Sequence, residues 1–344
     1  MEEYMDYIVN QIESLAKIPS PTGYTYRAIE YIKENLKKLN VDCTITNKGT
    51  LIVTFDGKNN EKERAISAHV DTLGAMVKEI KSNGHIAMDI IGGYMLNAVE
   101  CENCVIETMD GKDYTGTILT TKPSVHIYDN ADELKRSLEN MEVVIDEKVE
   151  NKDDVLKLGI DVGDFIFLDP RTQVTKSGFI KSRHLDDKAS AGILLGIIKW
   201  IVENNIVPEY KTDFIFSVYE EVGHGASSIP KNVFEFIAVD MGAPGEGQNS
   251  SEYAVCICAK DSTGPTDFEL RKKLINICKE NNINYRTDIY PHYGSDAAAA
   301  LRSGNDFKSA IIGTGVFASH AYERTHEDGV LNTAKLISKY IISK

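Results

Sequence analysis

The pattern of this chain changes twice along its length, and that double change narrows the folds open to it. Residues 3–17 and 25–39 carry apolar side chains at helical period, with Ser20-Pro-Thr-Gly23 as a turn between them. Strand-like runs follow at 43–46, 51–55 and 65–70. From Thr72 to Thr175 the character shifts to short alternating segments, at 84–91, 104–109 and 114–120, with Asp110-Gly111 as a hairpin signal and 162–168 as another strand. After Asp186 helix and strand alternate again, with helices expected at 188–204, 266–282 and 332–342 and strands at 213–219, 234–240 and 310–317. A chain that leaves one layered pattern and then resumes it reads as an α/β domain, residues 1–71 and 176–344, interrupted by a small β-rich domain, residues 72–175.

Bulk properties exclude several functions. The formal charge of −14, without any long Lys/Arg run, disfavours nucleic acid and anionic membranes as partners. The apolar stretch 191–202 contains Lys199 and is too short to span a bilayer. The opening MEEYMDYIVN is acidic and amphipathic, unlike an export signal, so a cytoplasmic location is expected. Six cysteines are too few for a disulfide scaffold, and Cys101-Glu-Asn-Cys104 lacks the second pair that a structural zinc tetrahedron needs. Packing accounts for them.

Chemistry concentrates where expected strands end. The run Ala65 to Val70 ends in His69-Val-Asp71; another runs into Glu220-Glu221, a third into Asp240 and a fourth towards Ser319-His320. Leu185-Asp186-Asp187-Lys188 precedes a helix. In open α/β sheets, loops converge just beyond the carboxyl ends of the strands, and reactive side chains collect there. Each motif alone has a plain structural reading: Asp186-Asp187 serves as an N-cap, and Glu220-Glu221 as a solvated loop. Together they supply the oxygen and nitrogen donors that a pair of zinc-like ions requires. A glycoside hydrolase with paired carboxylates is a rival, but it leaves His69 and His320 without a role and predicts indifference to chelators.

In this order, His69-Val-Asp71, Leu185-Asp186-Asp187-Lys188, Tyr219-Glu220-Glu221-Val222-Gly223, Val239-Asp240 and a late histidine resemble the glutamyl, deblocking and tetrahedral aminopeptidase family of dinuclear metallopeptidases. The resemblance covers nearly the whole chain. GIDVGDFIFLD, residues 159–169, is similar to the closing strand of that family's insertion, and Gly294-Ser295-Asp296-Ala is similar to an element beside its substrate pocket. The resemblance implies a mixed-sheet α/β/α catalytic domain of the phosphorylase/hydrolase-like type with an inserted barrel-like dimerisation domain. It implies Asp186 bridging two divalent ions, with His69 and Asp240 on one and Glu221 and His320 on the other. Zinc, cobalt and manganese all suit such ligands. Glu220 would be the general base, and Asp71 would fix the tautomer of His69 by accepting its free ring N–H. Gly294, Ser295 and Asp296 would bind substrate, a short peptide trimmed from its N-terminus.

The departure from the family pattern is at the last ligand, where Ser319-His320-Ala-Tyr-Glu-Arg-Thr-His326 offers two histidines. His320 matches the family spacing better, leaving His326 as a pocket or supporting residue, and His292 stands open between a surface-loop histidine and one that reaches a substrate carbonyl or a neighbouring subunit. A homo-oligomer is implied, as a dimer or a hollow twelve-mer of dimers. Deacylases of acyl-amino acids or dipeptides share the ligand order but place their accessory domain after the Glu-Glu motif. A non-catalytic assembly protein on the same fold is the remaining alternative. The preferred N-terminal residue stays open.

Overall fold

The computed structural model describes residues 1–344, which fall into two compact units: Met1–Asp71 with Arg171–Lys344, and Thr72–Pro170. The return to the first unit comes at Arg171, earlier than the alternation of the sequence implies. The reason is local: Gln173–Val174 pairs antiparallel with Phe179–Ser182, which in turn pairs with Glu323–His326 in a three-stranded sheet.

The first unit is built on a nine-stranded mixed sheet. Its centre is four parallel strands lying side by side: Tyr210–Ser217, Asn59–His69, Val233–Gly242 and Lys308–Gly315. Leu51–Phe55 on one side and Val255–Asp261 on the other run antiparallel to their neighbours. Alternation along the central strands separates two cores. Ile66, Ala68, Phe214 and Phe216 pack with the helices Met5–Lys17, Tyr26–Lys38, Leu185–Glu203 and Glu327–Ile341, whereas Ala65, Ile215 and Phe236 pack with Ala297 and Ala300 of the helix Asp296–Arg302. Because helices cover both faces, the middle of each central strand is buried and mainly apolar, as in Ala65-Ile66, Phe214-Ile215-Phe216, Phe236-Ile237-Ala238-Val239 and Ala310-Ile311-Ile312.

Leu185–Glu203 is buried along most of its length, which is why it shows no amphipathic stripe. Gly192 and Gly196, one turn apart, lie where a Cβ would run into Ile12 and Ile8 of the first helix, so these two glycines set how closely the pair can approach. The helix starts three residues before its expected position. Asp186 and Asp187 sit inside its first turn with non-helical torsions and a cis peptide bond between them.

The second unit closes into a six-stranded barrel in the order Gly74–Ile80, Ile86–Ile91, Met141–Ile145, Asp113–Thr120, Glu102–Glu107, Phe165–Leu168. Val77, Met88, Ile106, Ile118, Val143 and Ile166 fill its interior. Its short helix Lys152–Leu158 is capped by the Asn151 side chain and ended by Gly159 at φ 96°. No helix of the protein is long and apolar enough to cross a membrane.

Candidate metal and active site

Parallel register brings the strand ends together. Ser217 pairs with His69, Ala238 pairs with Ser67 two residues earlier, and Asp240 pairs with Gly313. Gly313 is required here, because a Cβ would collide with the carbonyl of Asp240. Just past these ends opens a cavity of about 380 Å³ whose lining includes Asp186, Glu220, Glu221, Asp240, Gly294, Ser295 and His320.

The tightest group is His69, Asp186 and Glu221, whose donor atoms all lie within 4.8 Å of one another, the spacing of a potential metal site. Asp186 faces both imidazoles: Oδ1 is 3.1 Å from His69 Nε2, and Oδ2 is 3.3 Å from His320 Nε2. Glu221 Oε2 is 3.6 Å from His320 Nε2, while its Oε1 is buried with no hydrogen-bond partner. Glu220 Oε2 is 3.6 Å from His69 Nε2. Asp240 lines the same cavity outside the tightest group, with Oδ1 accepting the N–H of Met241 at 2.7 Å.

Electrostatics mark this spot as unusual. Burial, reinforced by neighbouring carboxylates and only partly offset by the imidazoles, holds Glu220 and Glu221 well above the ordinary glutamate range. Burial and the nearby Asp186 push Asp240 up to about 7. Asp186 goes the other way: despite burial, its contacts with His320 and His69 hold it below the usual range. Against its own burial, His69 is raised by Glu220 and Asp186. Carboxyl groups crowded this closely beside two imidazoles, one of them with an unused buried oxygen, fit divalent cations by donor type and charge.

The supporting contacts differ in part from expectation. His69 Nδ1 is 3.0 Å from the backbone carbonyl of Asp71 and 3.6 Å from its carboxylate, so the carbonyl is the ring's closer partner. The Asp71 carboxylate instead accepts the Thr22 hydroxyl and the backbone N–H groups of Glu220 and Glu221. Gly294 and Ser295 line the cavity, but the carboxylate of Asp296 turns inward and accepts from Ser67 Oγ, Ser217 Oγ and the N–H of Ala226. A short side chain at the start of a helix, beside two strands carrying inward-facing serines, finds those hydroxyls before it finds solvent. His326 caps the last helix, with Nδ1 accepting from Asp328 N at 3.0 Å and Nε2 2.9 Å from the Ser177 carbonyl. His292 lines the cavity.

Arg302 and Glu323 were missed by sequence reasoning. Arg302 closes a helix and reaches the cavity wall, a placement no local pattern encodes. Glu323 accepts the backbone N–H of His320 at 2.9 Å and of Asp186 at 3.1 Å, and its signal was its place three residues after His320.

Comparison with known proteins agrees with this architecture. The family model of the M42 glutamyl aminopeptidases matches residues 49–336. A putative aminopeptidase, YhfE, of Bacillus subtilis (strain 168) is 50% identical over 333 residues, covering 96% of each chain. A putative aminopeptidase of Acetivibrio thermocellus is 26% identical, covering 91% of each. The solved TET1 peptidase of Pyrococcus horikoshii, described as able to assemble into a tetrahedron or a large octahedral shell, superposes with a TM-score of 0.84 at 23% identity, over 98% of this chain and 100% of that one, a likeness of fold. Fold and kinship thus define a hydrolase of the aminopeptidase class. The chain belongs to the M42 glutamyl aminopeptidase family.

Proposed function

We propose that the protein is a metal-dependent aminopeptidase that hydrolyses the first peptide bond of short peptides with Glu220 as general base. The observation that carries this reading is Asp186 facing His69 and His320 with separate oxygens, 3.1 and 3.3 Å away, beside Glu221. His69 and Asp240 would hold one divalent ion, Glu221 and His320 a second, and Asp186 would serve both; zinc is the leading choice, with cobalt or manganese also compatible. Bound there, such ions supply Lewis acidity, lowering the pKa of a coordinated water and polarising the scissile carbonyl.

The remaining chemistry belongs to the chain. Glu220 lines the cavity, and burial raises its proton affinity, which suits a group that takes a proton from water and returns it to the leaving amine. The N–H of Glu220 is fixed by Asp71, which limits the freedom of the base to swing. Gly294 and Ser295 form a wall without bulky side chains, where the peptide backbone can lie close. Arg302 adds positive charge to that cavity, and His292 adds a ring that can hydrogen-bond.

Homo-oligomerisation through the inserted barrel is part of the proposal. Exposed Met95, Met109 and Val162 on that unit support it, as does the assembly described for the Pyrococcus horikoshii TET1 peptidase.

A panel of aminoacyl and N-acetylaminoacyl p-nitroanilides, assayed before and after chelation and with zinc, cobalt or manganese restored, tests the activity. Cleavage of free-amine compounds that disappears on chelation and returns with metal is expected. Cleavage of the blocked compounds alone, or activity indifferent to chelator, rejects the reading.

A further inference from the structure

Glu323 is 1% exposed and lies at the end of the small strand Glu323–His326, where it pairs with Ser182. From there its two oxygens reach different segments, Oε1 to the N–H of His320 and Oε2 to the N–H of Asp186. A second stitch lies alongside, Arg183 donating to the carbonyl of Ala321 at 3.3 Å. No other side chain in the site joins the backbones of two cation-binding candidates so far apart in sequence. Asp71 holds two adjacent residues, and of the candidate ligands' backbones Asp187 holds that of His69.

The clamp matters most on the His320 side. Asp186 is buried at the start of a long packed helix, whereas the His320 side chain is 36% exposed on a loop. That loop also carries Ala318 at φ 58° and His320 at φ 63°, left-handed conformations that L-residues adopt at some cost. A buried carboxylate accepting the His320 N–H offsets part of that cost and sets where the imidazole points. Partners of this kind behind metal ligands are worth about 10- to 100-fold in metal affinity or activity.

We infer that Glu323 is a positioning residue that locks the His320 loop to Asp186 and thereby sets the affinity of the cation site formed by Glu221 and His320, leaving the site formed by His69 and Asp240 largely intact. The inference rests on the dinuclear reading above. It neither binds a cation nor touches substrate; it acts through the backbone of two residues that do.

Cobalt titration of the metal-free chain, followed by visible absorption and calorimetry, tests it. Two equivalents bound by the parent chain check the dinuclear reading independently. In Glu323→Gln one acceptor oxygen becomes an N–H₂ group facing an N–H donor, so one of the two equivalents should weaken about 10- to 100-fold while the other stays within a few-fold. On peptide substrates at saturating cobalt, kcat should fall more than KM rises. Equal weakening of both equivalents, or of neither, overturns the inference. Hydrogen exchange on the parent chain gives a readout that needs no variant: the His320 amide should be protected although its side chain is partly exposed, and exchange at the rate of an open loop overturns the clamp.

Discussion

The carboxylate of Asp71 accepts the backbone N–H of Glu220 at 3.0 Å, and its second oxygen accepts that of Glu221 at 3.2 Å. One side chain therefore fixes both glutamates, the proposed base and the proposed ligand. Asp71→Asn replaces an acceptor with a donor facing an N–H, and leaving that buried group unpaired costs about 1–3 kcal/mol. A matching loss in chemical denaturation is expected, with kcat down about 10- to 100-fold and the His69 tautomer unchanged by NMR, since the ring's closer partner is a carbonyl.

Neighbouring Glu220 and Glu221 should respond differently to the same change. Glu220→Gln should keep metal content near that of the parent while kcat falls by about 10²- to 10⁴-fold, the usual contribution of a general base. Glu221→Gln should lose about one ion per chain. Metal analysis beside single-turnover kinetics checks both, and the opposite assignment means the two glutamates have exchanged roles.

The two late histidines are separable. His320→Ala should release one ion. His326→Ala should retain both but lose about 1 kcal/mol with the cap it gives to Asp328 N, and more through its contacts with Phe179 and Tyr253. Inductively coupled plasma metal counts and thermal melts distinguish them.

Close helix packing should be sensitive to a single methyl group. Gly196→Ala places a Cβ against Ile8, and overpacking of this kind costs about 1–3 kcal/mol, so the midpoint of urea unfolding should fall. Metal content at the native baseline should not change.

The barrel carries its own pH dependence. Burial raises the proton affinity of Glu142, but Lys81 and His85 more than compensate, leaving its pKa below the ordinary glutamate value of 4.5. A depressed folded value means that the stabilisation is fully present above the unfolded value and is lost as pH falls through the folded one. Glu142→Gln should therefore flatten the acid limb of stability below about pH 4.5. An unchanged acid limb rejects this account.

Sequence alone exposed the ends of the buried strands, because an apolar run stopping at a histidine or an acid is a local signal. His69, Asp240 and the Glu220-Glu221 pair could be found that way, and all line or border one cavity. The inward turn of Asp296 and the double hold of Glu323 could not, since each depends on partners more than a hundred residues away in at least one contact. The same holds for Phe179–Ser182, a four-residue strand whose partner lies near the end of the chain. The cap function of His326 was hidden by its neighbour: two histidines six apart look alike until the helix start at Glu327 is known.

The residues proposed to hold cations are strung from His69 to His320 in a chain of 344. A nascent polypeptide still attached to the ribosome can complete its barrel long before His320 emerges, yet it lacks the final imidazole. On the proposed ligand set, hydrolytic competence therefore waits until His320 has been made, and fragments that stop before it would be inert towards the peptides around them.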